Sequence, residues 1–119
     1  MKVLIVDDSR AMRMIIRRTL RQAGFSRLEI REAASGRDAL AQADVEPVDL
    51  ILADWSMPEM DGLTLLIELR KTHQTPFCFL TPQGTQQMRD KARAAGANLL
   101  ISKPFTPDSF AEDLGRFLA

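Results

Sequence analysis

VDLILADWSMPEMDG, residues 48–62, decides the fold. An unbroken apolar run, Leu50-Ile51-Leu52-Ala53, ends in Asp54 and is followed by Trp55, Ser56 and a Met57-Pro58 step. A short continuous apolar run closed by a turn marks a strand buried on both faces, which is the habit of parallel sheets. Proline, with no N–H to give a ladder, ends it. A carboxylate at the end of such a strand is costly unless it is paired, hydrated or used.

Outward from this strand, two hydrophobic periods alternate along the chain. Residues 2–7, KVLIVD, form another continuous apolar run. Residues 9–23 switch to helical spacing, with Met12, Ile15, Ile16, Thr19, Leu20 and Ala23 on one side and Arg10, Arg13, Arg17 and Arg21 on the other. Ser9 suits the N-cap of that helix and Gly24 its stop. Residues 27–33 alternate as a strand, and 35–44 read as a short helix. A helix from Gly62 to about Thr72 presents Leu63, Leu66 and Ile67. Residues 75–81, TPFCFLT, are a fourth buried strand, 85–95 a helix stopped at Gly96, and 97–102 a fifth strand. Thr106-Pro107 opens a last helix with proline in its first turn, its inner face being Phe110, Ala111, Leu114, Phe117 and Leu118.

Five strands thus alternate with five helices across short loops, which predicts an α/β fold: a doubly wound, flavodoxin-like parallel sheet. The order 2-1-3-4-5 suits five strands and opens a crevice at the carboxyl ends of strands 1 and 3. Residues 1–119 are expected to form one domain. Sixteen acidic residues balance sixteen basic ones, so no overall field points to nucleic acid or an anionic membrane. No apolar run reaches the ~18 residues of a membrane span, and the N-terminus lacks the apolar segment of a signal peptide. A single cysteine, Cys78, excludes an internal disulfide, and its apolar surroundings read as core. These features predict a cytoplasmic protein, expected to be monomeric.

The predicted topology gathers polar residues from four strands on one rim. Strand 1 ends in Asp7-Asp8, strand 3 in Asp54, strand 4 in Thr81 and strand 5 in Ser102-Lys103-Pro104. Each alone has a bland explanation: Asp8 or Ser9 can cap a helix, and a lysine before proline is ordinary in a loop. Together they are harder to dismiss. Two carboxylates at ~5 Å repel by about 3 kcal/mol even at an effective dielectric of ~20. Carboxylates with a backbone oxygen and water suit Mg²⁺, whereas one histidine and one cysteine do not make a zinc site. A cation, a lysine and one further carboxylate suggest phosphoryl transfer to an aspartate, with Asp54 the nucleophile.

The motifs VLIVDDSRAMR (3–13), DLILADWSMPEMDGL (49–63), FLT (79–81) and ISKPF (101–105) resemble those of the response-regulator receiver domains of two-component signalling, of the single-domain chemotaxis type. The order 2-1-3-4-5 is that family's own, so the resemblance carries the topology as much as the strand count does. It implies that Asp54 accepts phosphoryl from a phosphohistidine on a histidine kinase or phosphotransfer protein. It implies Mg²⁺ held by Asp8, Asp54 and the Ser56 carbonyl, with Asp7 acting through the metal's water. Thr81 and Lys103 would sense the phosphoryl group, Lys103-Pro104 would be cis, and the product would switch the binding of a downstream target. The chain is then a signalling phosphoacceptor rather than an enzyme.

Three positions depart from the family pattern. Pro82 follows Thr81 where a backbone N–H ordinarily helps hold the phosphoryl group. Leu100 stands where a switching aromatic is usual. Ser56 and Gln83, which flank the path of attacking water, are small and neutral. Pro82 and Leu100 motivate an alternative, a receiver-fold binding module with a weakened or constitutive switch. A Mg²⁺-dependent phosphohydrolase is a third reading, opposed by the lack of room for a substrate pocket. Trp55 is expected beside the site and His73 at the surface.

Overall fold

The computed structural model describes residues 1–118. Its elements alternate without exception: β1 (Lys2–Val6), α1 (Arg10–Gln22), β2 (Glu29–Ala33), α2 (Gly36–Val45), β3 (Leu50–Asp54), α3 (Gly62–Leu69), β4 (Phe77–Thr81), α4 (Gln86–Ala95), β5 (Leu99–Ser102) and α5 (Pro107–Leu114). The strands form one parallel sheet in the order β2-β1-β3-β4-β5.

Successive side chains of a strand point to opposite faces, so each apolar run feeds two cores at once. Leu4, Val6, Ile51, Ala53, Phe77 and Phe79 meet α2, α3 and α4 on one face. Val3, Ile5, Leu50, Leu52, Cys78 and Leu80 meet Ile16 and Leu20 of α1 and Phe110 and Leu114 of α5 on the other. Cys78 lies in that second core, where burial pushes its thiol pKa up and holds it neutral. Ser9, Ser35, Asp61, Thr85 and Thr106 each cap a helix by accepting a backbone N–H three residues on. Among the described residues no helix is long and apolar enough to cross a membrane.

Four expectations shift. Strands β2, β4 and β5 begin at Glu29, Phe77 and Leu99, each two residues later than their periodicity suggests. Helix α3 ends at Leu69 rather than near Thr72, because the N–H groups of Thr72 and His73 both turn back to the Leu69 carbonyl. Its buried face is Leu65, Leu66 and Leu69, and Ile67 stands exposed, as does Ile15 on α1. Helix α5 stops at Leu114, leaving Ala111 exposed while Phe117 and Leu118 pack beyond the helix end.

Candidate functional site

The carboxyl ends of β1 and β3 lie side by side, with Val6 paired to Ala53, and so bring Asp7-Asp8 next to Asp54. One carboxylate oxygen from each of Asp7, Asp8 and Asp54 lies within 4.8 Å of the others. Their surroundings differ. Asp8 is exposed, Asp54 is half-buried, and Asp7 is buried. The Asp7 backbone N–H extends the β1–β2 ladder by donating to the Ala33 carbonyl at 3.1 Å, which turns the side chain inward. Its Oδ1 accepts the Ser9 N–H at 2.8 Å, while its Oδ2 has no partner. Burial raises the Asp7 pKa above the usual carboxylate range. The Ser9 N–H opposes this, the Asp54 charge adds to it, Lys103 opposes it, and Asp8 adds again.

A buried carboxylate oxygen without a partner, on a residue clustered with two more carboxylates, suits a cation. The donors are all hard oxygens, which fits Mg²⁺ and not a thiophilic metal. Lys103 supplies a positive charge on the other side, its Nζ 3.6 Å from Asp54 Oδ1. Its N–H donates to the Thr81 carbonyl at 2.6 Å, and the Lys103–Pro104 peptide is cis, as the resemblance implies. Thr81 is buried at the end of β4, one step past Leu80, the register partner of Asp54. Its hydroxyl oxygen accepts the Gln83 N–H at 3.3 Å. The Ser56 N–H reaches Asp54 Oδ1 at 3.4 Å.

The loop after β3 is held tightly. The Gly62 N–H donates to the Trp55 carbonyl at 2.8 Å, and a Cβ at residue 62 would collide with the Asp54 carbonyl oxygen. Helix α3 therefore starts directly against the backbone of Asp54. Trp55, half-buried next to Asp54, packs tilted against Phe79 with ring centroids 4.7 Å apart, and Met57 and Met60 fill the space beneath the loop. Glu59 at its tip adopts φ +67°.

The structure redistributes the arginines of α1. Arg10, two residues after the acidic pair, is exposed. Arg13 is the arginine that reaches the site: it donates to the Asp7 carbonyl at 2.7 Å and to Glu32 at 2.8 Å. Arg17 joins it on Glu32, also at 2.8 Å. Two of the four arginines on that side of α1 are thus tied to β2. The lone acidic residue pointing from β2 toward α1 was the available signal. His73 lies in the turn after α3, 3.6 Å from Asp44 and at the opposite end of the sheet.

Comparison with known proteins places this geometry. The response regulator receiver domain family matches residues 3–114. The chemotaxis protein CheY1 of Helicobacter pylori is 37% identical over 118 residues, with 96% of this chain and 94% of that protein covered. The CheY homolog of Campylobacter jejuni is 39% identical over 118 residues, covering 96% and 89%. Among solved structures, CheY4 of Vibrio cholerae superposes with a TM-score of 0.87 at 37% identity over 98% of each chain. The receiver domain of the Francisella response regulator 1452 gives 0.86 at 27% identity, over 98% and 95%.

Proposed function

The chain belongs to the response regulator receiver domain family, and on that premise we propose that residues 1–119 are one receiver unit acting as the phosphoacceptor of a chemotaxis-type two-component phosphorelay. Asp54 takes a phosphoryl group from a phosphohistidine on a histidine kinase or phosphotransfer protein, or from a small acyl phosphate. A carboxylate oxygen of Asp54 forms the new P–O bond. The bond from phosphorus to the histidine nitrogen, or to the acetate oxygen, breaks and leaves its electron pair on the departing group. The product is an aspartyl phosphate, which switches the binding of a downstream target. The protein works in the cytoplasm as a monomer, with no nucleic acid bound through this domain and no membrane.

One observation carries the reading: Asp54 is the carboxylate shared between the acidic cluster and Lys103. Asp7, Asp8, Asp54 and the Ser56 carbonyl would hold Mg²⁺, which supplies charge neutralisation for the phosphoryl oxygens. Lys103 places a compact charge on the same oxygens. The Thr81 hydroxyl, whose oxygen accepts the Gln83 N–H, donates its own proton in a hydrogen bond to one of them. Trp55 and Phe79 shield the base of the site from water on the α3 side.

Incubation with acetyl phosphate and Mg²⁺, followed by intact mass, tests this. The wild type gains one phosphoryl group and Asp54→Asn gains none. No gain in the wild type, or an equal gain in the variant, would refute the assignment. The alternative, a binding module with a weakened switch, draws support from Pro82, which offers no N–H, and from Leu100, which packs into the α4-side core. It predicts a phosphorylated chain whose amide exchange over residues 82–88 does not change.

A further inference from the structure

Arg89 lies on α4, in a segment, QQMRDKARAA, whose pattern suggests only a solvated helix face. In the structure it is half-buried and turned back onto the sheet. Its Nε donates to the Gly84 carbonyl at 3.2 Å, its Nη1 to the Leu100 carbonyl at 3.2 Å, and its Nη2 lies 3.4 Å from Ser102 Oγ. One planar fork thus joins the β4–α4 loop, α4 and β5. β5 is an edge strand, so carbonyls on its outer side have no ladder partner, and Arg89 supplies one for Leu100. The seat is shaped for this contact. A Cβ at residue 84 would collide with Ser102 Oγ and come within 2.9 Å of Arg89 Nη2, so a larger residue there would displace both side chains of the clamp.

The clamp adjoins Lys103, whose Nζ lies 3.6 Å from Asp54 Oδ1. Ser102 is the register partner of Thr81, and the next residue, Lys103, bonds the Thr81 carbonyl and faces Asp54. On the loop side, Gly84 follows Gln83, whose N–H donates to the Thr81 hydroxyl oxygen. A Thr81 hydroxyl drawn toward a phosphoryl oxygen pulls the Gln83 N–H after it and carries the Gly84 carbonyl with it, away from the guanidinium. The other end of Arg89 borders a groove of about 190 Å³ lined by Ala92, Ala97, Leu99 and Leu100.

We propose that Arg89 is the coupling residue of this receiver: a three-point clamp that ties α4 and the β4–α4 loop to the end of β5 before phosphorylation and is released when Asp54 carries a phosphoryl group. It is a positioning residue, and it fills the coupling role that Leu100, without a hydroxyl, cannot. The proposal rests on the phosphoacceptor reading above. Coupling is reciprocal, so a group whose bonds break on phosphorylation must also resist it.

The test compares wild type, Arg89→Ala and Arg89→Lys, which keeps the charge without the fork. Each is treated with acetyl phosphate and Mg²⁺, and intact mass and amide exchange are read from the same sample. In the wild type, exchange of residues 84–89 and 102 accelerates on phosphorylation. In both variants it is fast beforehand and changes little, and phosphorylation runs about five times faster than wild type. Variants with raised exchange but phosphorylation rates within about twofold of wild type would reduce Arg89 to a structural tie and overturn the proposal, as would a wild-type rise retained in full. A wild type that takes phosphoryl with no change at these amides refutes the clamp alone. A wild type that takes none refutes both readings.

Discussion

Asp7 is buried, has one oxygen without a partner, and stands beside two other carboxylates. Its folded-state pKa lies above the ordinary value, first because burial disfavours the charge. For a carboxyl raised on folding, the penalty is absent below the unfolded value near ~3.9. It grows as pH rises toward the folded value and is constant above it. Asp7→Asn keeps an oxygen for the Ser9 N–H and removes the charge. Without divalent metal at pH 7, the variant should be more stable than wild type by about 1 kcal/mol. Chemical denaturation repeated from pH 7 down to 4 should show that gap closing; a gap independent of pH would place its cause elsewhere. Glu59, at φ +67°, is strained through its backbone instead. Glu59→Gly should raise stability by about 0.5–1 kcal/mol in the same assay, while Glu59→Ala, which cannot relieve a left-handed residue, should not.

At the scale of elements, α1 is tied to β2 through Glu32, which accepts from both Arg13 and Arg17. Burial alone would raise the Glu32 pKa, but the hydrogen bonds from Arg17 and Arg13 outweigh it and the net shift is downward. A carboxyl lowered on folding stabilises the protein above its unfolded value and loses that contribution as pH falls through its folded one. Glu32→Gln should therefore destabilise by about 1 kcal/mol at pH 7, and the difference should shrink below about pH 4. Because Arg13 also holds the Asp7 carbonyl, the variant should bind Mg²⁺ more weakly, which titration of the Trp55 fluorescence reads directly. This tie left only one sign in the sequence, a lone acidic residue on the α1 side of β2. The helical spacing of Arg13 and Arg17 was plain, but the partner sits in another element. The doubly apolar strands, by contrast, stated their burial outright, and the four-strand rim followed from the topology they impose. Boundaries and faces went astray where tertiary packing chose between neighbours, as with Ile67 exposed beside buried Leu66. Arg89 escaped notice because its acceptors are two backbone carbonyls and a serine from distant segments, none of which leaves a local pattern.

Over the whole molecule, sixteen acidic and sixteen basic residues cancel, but the winding of the chain does not distribute them evenly. It collects three carboxylates at the sheet's carboxyl edge, and Lys103 answers only one of them at close range. A ligand that binds the folded state alone stabilises it by RT ln(1 + [L]/Kd), so each tenfold rise in free Mg²⁺ above Kd should add about 1.4 kcal/mol. For a domain of this size that is roughly 5 °C in melting temperature per decade of Mg²⁺. Asp54→Asn and Asp7→Asn should flatten the slope, since each removes a charge from the shared cluster. Asp44→Asn, at the opposite end of the sheet beside His73, should leave it intact. The two cluster variants should also diverge from wild type in opposite directions with metal content: more stable than wild type in chelator, less stable at saturating Mg²⁺. Parallel melting curves for all four proteins across the titration would mean that the cation acts by general screening, and that the carboxylates do not form a common site.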